Sequence, residues 1–409
     1  MKEKQKYKKM NQIIKSRIEE INRGKIPEGY KKTSVGIVPI EWTEHTLGDI
    51  FKFKNGINKE KEAFGQGTPI VNYTDVWKKR GLKAEDIKGR VVLSKNEIQN
   101  YEVKCGDVFF TRTSETIEEI GYSSVLLDDI ENAIFSGFVL RARPYNNLVS
   151  REYHQYCYSE PQMRHEIIKR SSMTTRALTS GPMLSQVAIN LPSHREQSKI
   201  AEILMKWDEA IELQEQYIDI LKIRKRYLMK KLLTPKDNWK YVLLGNICDI
   251  KTGRLDANAM EEDGIYPFFT CSKEVYRINQ YSFDCEALLM AGNGDIGDVK
   301  YYNGKFDAYQ RTYVLSNFSF NIKYVMQYLL LNFDRDVMKG MQKSSMPYIK
   351  LNLLKNAKIY YDPSMVEKTV TILSTVDNEI EQHNIKLEQL KKQRKALQQY
   401  LLNGIVRVK

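Results

Sequence analysis

The segment that most resembles a cofactor motif is GNGDIG, which runs from Gly292 to Gly297 and fits the pattern G-x-G-x-x-G. In a dinucleotide-binding fold, this pattern is followed by a helix whose N-terminus holds the pyrophosphate, and by an acidic residue about twenty positions later. Here the following segment, DVKYYNGKF, alternates like a strand, and no acidic residue lies near the right distance. The segment therefore predicts a hairpin turn with Gly292 and Gly294 at positive φ, and a nucleotide site is the less favoured alternative.

Other catalytic patterns are absent from the sequence. It contains no Walker A segment, no G-x-S-x-G, and no Asn/Asp-Pro-Pro-aromatic segment of the kind with which amino-methyltransferases hold a flipped base. Its five cysteines, Cys105, Cys157, Cys248, Cys271 and Cys285, form an odd and scattered set without a C-x-x-C pair, and its five histidines show no metal-ligand spacing. The sequence therefore predicts reduced thiols, no metal site and no catalysis by this chain.

The chemistry that remains is nucleic-acid recognition, because basic residues interleaved with small polar ones recur in two stretches of the chain. Lys and Arg suit phosphate oxygens, while Arg, Asn, Gln, Ser and Thr can read base edges in the major groove. An ordinary solvated side chain is the commoner explanation for any single residue, so the hypothesis depends on the recurrence. The candidate DNA-binding residues of the first stretch are Lys52, Lys54, Asn55, Asn58, Lys59, Arg112, Thr113, Ser114, Lys169, Arg170, Ser172, Thr174 and Arg176. Those of the second stretch are Lys251, Thr252, Arg254, Asn293, Arg311, Lys343, Ser344, Ser345 and Tyr348.

Composition is consistent with a polyanionic partner. The chain has 64 Lys and Arg against 51 Asp and Glu, which gives a net charge of +13 and favours attraction to nucleic acid or an anionic membrane. The basic run KIRKRYLMKK could contact phosphate or an acidic partner, or could simply complement the C-terminal end of a helix. No segment approaches the ~18 apolar residues of a membrane helix, nor has the first segment the apolar core of a signal peptide. We therefore expect a soluble, cytoplasmic protein.

The candidate residues lie in two stretches that begin with the same short segment. WTEHTLGDIFKFKNG begins at Trp42, and a related segment begins at Trp239. Trp42, Leu47, Gly48, Ile50, Lys54 and Gly56 match Trp239, Leu244, Gly245, Ile247, Lys251 and Gly253 at one constant offset, about two hundred residues apart. This distance is far longer than the period of a solenoid, so the repeat predicts a duplicated domain.

Each stretch is followed by a segment with sustained coiled-coil periodicity, from about Glu196 to Leu233 and from about Val366 to Leu402. In each, the apolar positions recur in alternating steps of four and three. The positions of the first segment are Ile200, Leu204, Trp207, Ile211, Gln214, Ile218, Leu221, Lys225, Leu228 and Leu232; those of the second are Thr369, Leu373, Val376, Ile380, His383, Leu387, Leu390, Arg394, Leu397 and Leu401. A helix of about 38 residues would be ~57 Å long, too long to bury its stripe in a small globule. Each helix is therefore expected to pair with the other.

The domain organisation follows from these repeats. We predict an N-terminal helix and linker over residues 1–41, a first globular domain over 42–190, a long helix over 191–238, a second globular domain over 239–361 and a final long helix over 362–409. Short apolar runs between Gly, Asn and Asp turns predict mixed sheets in both globular domains. The fold class is α+β, with an internal repeat.

Two segments carry a resemblance to one protein family: LPSHREQSKIAEILMKWDEAIE and LSTVDNEIEQHNIKLEQLKKQRKALQQYLLNGIVRV. They are similar to the central and the C-terminal conserved regions, respectively, of the specificity subunits of type I restriction-modification systems. GYKKTSVGIVPIEW resembles the segment that leads into the first target recognition domain, and AYQRTYVL and KSSMPYI resemble framework pieces of those domains. The resemblance extends over essentially the whole chain after about residue 25.

The resemblance implies two target recognition domains joined by two long antiparallel coiled-coil helices with pseudo-twofold symmetry. Each domain would bind one half of an asymmetric, bipartite site on double-stranded DNA, and the helices would set the spacer and dock two modification subunits. S-adenosylmethionine would be bound by those subunits, and ATP with Mg by restriction subunits, so that this chain holds no cofactor. A coiled-coil scaffold without sequence-specific DNA binding is the alternative.

The heptad positions that carry polar residues suggest a register for the antiparallel helices, because polar residues at such positions often fix it. The expectation is that Gln214 faces Arg394 and that Lys225 faces His383, a pairing that satisfies a pseudo-twofold relation.

Overall fold

The computed structural model describes residues 2–336 and 348–408. The chain forms two compact units: the first contains the residues up to Glu212 together with those from Glu388 onward, and the second runs from Leu213 to Leu387. Each unit combines one α/β domain with parts of the same two long helices. In the part of the chain that the structure describes, no helix is both long and apolar enough to span a membrane.

The first unit begins with helix α1 (Lys2–Asn22), and its domain is followed by the long helix α6 (His194–Leu233). Its strands are β1 (Tyr30–Thr33), β2 (Gly36–Pro39), β3 (Thr43–Thr46), β4 (Phe51–Asn55), β5 (Phe64–Val71), β6 (Gly81–Leu82), β7 (Arg90–Val91), β8 (Val108–Thr111), β9 (Thr113–Ser114), β10 (Ser123–Leu126), β11 (Ile134–Phe135), β12 (Val139–Pro144), β13 (Ser172–Met173), β14 (Ala177–Leu178) and β15 (Ala188–Leu191). Its shorter helices are α2 (Tyr73–Lys78), α3 (Lys95–Tyr101), α4 (Pro161–Arg170) and α5 (Gly181–Ser185). The central sheet has the order β4-β12-β8-β10-β6, and β11-β5-β7 and β13-β14-β9 form smaller sheets.

The second unit contains strands β16 (Lys240–Leu243), β17 (Asp249–Thr252), β18 (Tyr266–Phe269), β19 (Val275–Ile278), β20 (Phe283–Ala291), β21 (Val299–Ala308), β22 (Thr312–Ser316) and β23 (Lys358–Tyr361). Its helices are α7 (Leu244–Ile247), α8 (Ile322–Asp336), α9 (Leu351–Lys355) and the first part of long helix α10 (Val366–Leu402). One six-stranded sheet has the order β17-β22-β20-β21-β18-β19, and β16 pairs with β23. The second domain thus has fewer and longer strands than the first.

Both domains contain the same antiparallel three-stranded frame, and this frame explains the repeat in the sequence. It consists of β4-β12-β8 in the first domain and β17-β22-β20 in the second. The glycine that follows the first strand of each frame allows a close backbone approach: a Cβ on Gly56 would lie 2.0 Å from the carbonyl oxygen of Ser136, and one on Gly253 would lie 1.8 Å from that of Ala308. A side chain cannot fit at either position.

The long helices α6 and α10 run antiparallel in both units. Ile200, Leu204 and Leu401 lie in the core of the first domain, and Leu233 and Leu373 lie in the core of the second. Every heptad residue predicted to pair the helices is buried or partly buried, whereas several apolar residues of α6 outside that pattern are exposed. The helices are therefore stabilised partly by each other and partly by the domain against which each half packs.

The predicted register of the helices is wrong. Gln214 contacts His383 through Nε2 and Nδ1, which lie 2.7 Å apart, and does not pair with Arg394. Arg394 pairs with Asp208 at 2.8 Å, and Lys225 pairs with Asp377 at 2.6 Å. The physical reason is that each cation reaches a carboxylate beside the heptad stripe, because a charge-assisted bond to a carboxylate is stronger than a bond to an amide or a neutral imidazole.

The GNGDIG segment forms the hairpin turn between β20 and β21, as its composition predicts, and the strand β21 occupies the place where a nucleotide fold needs a helix. Gly294 has a φ of +67°, whereas Gly292 does not adopt positive φ. Gly292 is required for another reason, since a Cβ there would lie 2.5 Å from the carbonyl oxygen of Arg311.

The segment predicted to be a linker, within residues 1–41, is partly structured. Strands β1 and β2 form an antiparallel hairpin there. The Tyr30 hydroxyl donates to the carbonyl oxygen of Gly404 at 2.7 Å, and Arg407 donates to Glu41 at 2.6 Å. Packing against the C-terminal segment of the same unit thus orders a stretch whose glycines and prolines indicated a loop.

Candidate nucleic-acid interface

The central frames of the two domains end in the same hydrogen bonds. In the first domain, the amide of Arg112 donates to the carbonyl of Phe138 at 3.0 Å, and the amide of Thr179 donates to the carbonyl of Arg112 at 2.9 Å. In the second domain, the amide of Gly292 donates to the carbonyl of Arg311 at 2.9 Å, and the amide of Ile349 donates to the carbonyl of Gly292 at 2.8 Å.

The strand register agrees with this correspondence. Val139 pairs with Thr111, and Thr312 pairs with Ala291, so Phe138 and Arg311 each lie one residue before the middle strand of the frame. Positions in the two domains can therefore be matched residue by residue.

A cleft of about 600 Å³ opens at this point in the first domain. Phe138 presents an exposed ring to it, with 57% of its surface accessible. An exposed aromatic ring beside hydroxyl and guanidinium groups is a surface on which a base or a sugar can pack. The cleft is lined by Tyr73, Thr74, Trp77, Thr113, Ser114, Glu115, Thr116, Glu119, Phe138 and Arg176.

The second domain has a cleft of about 370 Å³ at the matching place. Arg311 occupies the position of Phe138, and Asn293 occupies the position of Thr113, two residues beyond the end of the strand. The walls are held by internal bonds: the Tyr313 hydroxyl donates to the carbonyl of Ile349 at 2.7 Å. The lining consists of Thr252, Gly292, Asn293, Gln310, Arg311, Tyr313, Tyr348 and Ile349.

The two clefts bring together part of the predicted DNA-binding set. Thr113, Ser114 and Arg176 line the first cleft. Thr252, Asn293, Arg311 and Tyr348 line the second. Lys343, Ser344 and Ser345 lie outside the residues that the structure describes.

Other predicted residues have internal partners. Lys54 donates to the carbonyl of Asn100 and lies 5.0 Å from the centroid of the Tyr101 ring, and its burial, with nearby Arg141 and Arg143, lowers its pKa. Arg112 donates to the carbonyl of Gly137 at 3.4 Å. These contacts are structural.

Three further basic residues of the set form ion pairs. Lys59 lies 2.6 Å from Glu97 and, with the Ser94 cap, holds the pKa of that carboxyl down to about 2. Lys169 and Arg170 both pair with Glu166 on α4. A basic residue in a loop often serves a neighbouring carboxylate, and sequence alone does not separate this role from phosphate contact.

The remaining members of the set lie apart from the clefts. Lys52, Asn55, Asn58, Thr174, Lys251 and Arg254 are exposed, and Ser172 is partly exposed. Lys52 lies within β4 and Lys251 lies within β17, the equivalent edge strands of the two frames. Exposed lysines on matching strands are suited to phosphate contact, which positions a protein on DNA without reading its sequence.

Sequence reasoning missed several cleft residues. Phe138, Tyr73, Trp77 and Gln310 were not among the predicted residues, although Phe138 and Gln310 come just before a middle strand of the frame. A search for residues that flank the matched strands, instead of for basic loops, would have found both of them. Among the described residues, no group of three or more His, Cys, Asp or Glu side chains is arranged to hold a metal ion.

The chain thus contains two domains built on one frame, each with a cleft at the matching place and each packed against parts of the same two antiparallel helices. The sequence model of the type I restriction modification DNA specificity domain matches residues 39–222 and 236–392, which together make up most of the chain. The chain belongs to this family. The resemblance of its conserved segments and its predicted fold class, with two α/β domains and two long antiparallel helices, are thereby confirmed.

Individual relatives agree with this assignment. The chain is 38% identical over 173 residues to the type I restriction enzyme EcoDI specificity subunit of Escherichia coli, an alignment that covers 41% of this chain and 38% of that protein. It is 25% identical over 441 aligned positions to the putative type I restriction enzyme MjaX specificity subunit of Methanocaldococcus jannaschii, with 93% and 97% of the two chains covered. The crystal structure of an S subunit from M. genitalium aligns with a TM-score of 0.56 at 18% identity, covering 88% of this chain and 96% of that one, which shows a shared fold.

Proposed function

We propose that this chain is the DNA-recognition subunit of a type I restriction-modification complex, and that each of its two domains binds one half of an asymmetric, bipartite target. One observation carries the proposal: the domains share their hydrogen-bonded frame, yet the clefts at matching positions present different side chains. A common frame with different linings is what two readers of two different half-sites require. When the domains are matched, Phe138 corresponds to Arg311, and Thr113 corresponds to Asn293.

The chemistry of the linings supports direct readout. Arg311 can donate two hydrogen bonds to guanine O6 and N7, and Asn293 can pair with adenine N6 and N7. In the first cleft, Glu115 and Glu119 can accept from the amino group of cytosine, while Phe138 can contact a thymine methyl group. The exposed Lys52 and Lys251 would bind phosphate, and the net charge of +13 would attract the duplex.

The long helices would dock the modification subunits and set the spacer between the half-sites. An apolar stripe lies on the exposed side of α6, with Tyr217 at its edge, where the ring also contacts His383 of α10. The stripe consists of Leu213, Tyr217, Ile220, Ile223 and Tyr227, whose exposed fractions are 57, 40, 59, 70 and 63%. Such a stripe at helical spacing fits helices of the modification subunits, and the lysines and arginines beside it would hold acidic residues of those subunits.

Chemistry would belong to the partners. The modification subunits would bring S-adenosylmethionine and methylate adenine, restriction subunits would use ATP with Mg, and the complex would act in the cytoplasm. The chain itself would hold no cofactor. A DNA-recognition subunit should be retained on DNA in a salt-dependent way, whereas a coiled-coil scaffold would show no such retention.

The decisive experiment maps adenine methylation by the chain assembled with its modification subunits. Arg311→Ala should relax the base requirement at one position of one half-site, with a loss of about 1–3 kcal/mol of discrimination. Arg277→Ala is the matched control, because Arg277 is an exposed arginine on β19 of the same domain and does not line the cleft. A methylation motif that is identical for wild type and Arg311→Ala would contradict the assignment of the cleft. If retention of the protein on a DNA column did not depend on salt concentration, the scaffold would be favoured.

A further inference from the structure

Two aspartates occupy the same position in the two copies of the helix sequence: Asp208 in ILMKWDEAI and Asp377 in ILSTVDNEI. In the first unit, Arg394 of α10 donates to both oxygens of Asp208, from Nε at 2.8 Å and from Nη2 at 3.1 Å. In the second unit, Lys225 Nζ of α6 lies 2.6 Å from Asp377 Oδ1. Lys225 and Arg394 are also equivalent in the repeat, so the same ion pair between facing helices occurs once in each unit.

Each aspartate also accepts a hydrogen bond from its own recognition domain. The Tyr156 hydroxyl donates to Asp208 Oδ2 at 3.0 Å, and the Tyr156 side chain is buried. The Gln327 amide donates to Asp377 Oδ2 at 2.7 Å, and the Gln327 side chain is buried too. The two donors lie at matching places, three residues after the buried Tyr153 and Tyr324.

Each carboxylate thus contacts both the opposite helix and the domain: Asp208 Oδ2 accepts from Arg394 and from Tyr156, whereas Asp377 uses a different oxygen for each partner. One oxygen of Asp377 faces the opposite helix, and the other faces the domain. Burial, followed by the Asp208 carboxylate, raises the pKa of the Tyr156 hydroxyl, so this group stays a donor at neutral pH. A bond that joins a domain to a helix pair through a shared charged group restricts the angle between them, since two directions are fixed at one residue.

The polar contacts around Asp208 are more numerous than those around Asp377. In the first unit, Arg80 of the recognition domain also approaches Asp208 at 3.4 Å, and Arg394 donates to Gln398, whose amide donates in turn to Ser159 at 3.0 Å. In the second unit, Met229 stands at the repeat position of Gln398, and the side-chain oxygen Oε1 of Gln327 is buried without a hydrogen-bond partner among the described residues. The second domain is therefore held at this point by fewer polar contacts.

We infer that Asp208 and Asp377 are positioning residues that fix the angle of each recognition domain on the helix pair, and thereby the spacer length that the complex accepts. This inference rests on the proposed function. Neither aspartate touches the clefts, so the bases read in each half-site should not change when an aspartate is replaced.

The test uses the complete chain assembled with its modification subunits and a library of sites that keep both half-sites but vary the spacer. Asp377→Asn keeps the size of the side chain and removes the charge that holds Lys225. It should raise methylation of sites whose spacer is one base pair longer or shorter by about fivefold relative to wild type. This factor corresponds to the largest free energy expected for a partly exposed ion pair. Asp208→Asn should give a smaller rise, because Gln398 and Ser159 still connect the helix to the domain.

Asp219→Asn is the matched control, because Asp219 is an exposed aspartate of α6 whose ion pair is with Lys222 on the same helix. It should leave the spacer profile unchanged. The exchange Asp377→Lys with Lys225→Asp keeps the ion pair between the helices in reverse. It should restore the wild-type profile, because the side-chain oxygen Oε1 of Gln327 can then accept a hydrogen bond from the lysine.

An unchanged spacer profile in both asparagine variants would overturn the inference, as would failure of the exchanged pair to rescue a variant that lost all activity. If the wild-type complex showed no preference for any DNA sequence, the proposed function would fail instead.

Discussion

Gln214 on α6 and His383 on α10 occupy the same position of the internal repeat, and they bond to each other. Gln214 Nε2 lies 2.7 Å from His383 Nδ1 and 3.2 Å from the His383 carbonyl oxygen. A contact between repeat-equivalent residues maps onto itself when the two copies are exchanged. On either side of it in sequence, the Asp208–Arg394 and Lys225–Asp377 pairs map onto each other. The polar residues of the helices thus follow the repeat, which indicates that they specify the register.

Removal of one partner of the Gln214–His383 pair should be more costly than removal of both. Gln214→Leu leaves the imidazole without its amide partner in a mostly apolar seam and should lower the free energy of unfolding by about 1–2 kcal/mol. Gln214→Leu with His383→Leu should be nearly neutral, because apolar groups then fill the seam. Urea unfolding of wild type, Gln214→Leu, His383→Leu and the double variant gives the comparison. A double variant that loses as much as the two single variants together would show that the pair is not coupled.

A second buried network makes a similar prediction at the C-terminal segment. Glu196, whose side chain is 3% exposed, accepts from Arg407 Nε at 2.7 Å and from the Trp42 indole at 3.2 Å. Arg407→Leu should destabilise the protein by about 3 kcal/mol, because it leaves a buried carboxylate without its cation. Glu196→Gln added to Arg407→Leu should recover part of that loss. Thermal unfolding measures both, and equal melting temperatures for the single and double variants would disprove the coupling.

Two glycines of the second domain should differ in their tolerance of a methyl group. Gly253→Ala would place a Cβ 1.8 Å from a carbonyl oxygen of the backbone, whereas Gly245→Ala would place one 3.0 Å from Cβ and Cγ of Lys355 and 3.1 Å from its carbonyl oxygen. The first contact requires the backbone to move and the second only a shift of a few tenths of an ångström, so Gly253→Ala should cost about 1–3 kcal/mol or more, and Gly245→Ala less. The pair can be compared by denaturant unfolding at equal protein concentration. Similar stabilities would mean that the backbone near Gly253 can open without cost.

The Glu97 carboxylate predicts a dependence of stability on pH. Hydrogen bonds from Lys59 and from the Ser94 cap lower the pKa of Glu97 from 4.5 to about 2. Ionised Glu97 therefore favours the folded state above the pKa of the unfolded chain, and this contribution fades as the pH falls through about 4.5 toward 2. The stability difference between wild type and Glu97→Gln should be present at pH 7 and shrink over that interval. A difference that is constant from pH 7 to pH 3 would contradict the assignment.

Helix length should control the spacer. Four residues inserted after Tyr217 on α6 and four after Asn378 on α10 keep the Gln214–His383 contact on one side and the Lys225–Asp377 pair on the other. The added helix is ~6 Å long and turns the following residues by about 400°, close to their original direction. Adenine methylation should move to the same half-sites across a spacer longer by one or two base pairs, at ~3.4 Å per pair. Retained activity at the original spacer would show that the helices are not the ruler.

The sequence was informative where periodicity and repetition are physical requirements. A heptad stripe of this length must pack against a partner of equal length. The segments repeated from Trp42 and Trp239 end at Gly56 and Gly253, where the backbone approach permits only glycine. The register of the two helices could not be predicted from the sequence, because Asp208 and Asp377 lie beside the heptad stripe. Whether each aspartate reaches a cation on the facing helix depends on the positions of the two helices in the folded protein. The clefts were only partly predictable, since Phe138 is an apolar residue whose exposure is set by tertiary structure.

The contact between Tyr30 and Gly404 has a consequence for the order in which the protein assembles on the ribosome. The first unit contains residues from Glu388 onward as well as those up to Glu212, so contacts such as Tyr30 with Gly404 and Arg407 with Glu196 cannot form until the last helix has been synthesised. The second unit is complete within Leu213–Leu387 and can form its contacts earlier. Synthesis proceeds from the N-terminus, and domains usually fold in that order. Here the unit that is made first is the last to be completed, because its apolar core includes Leu401 and Leu402 of α10.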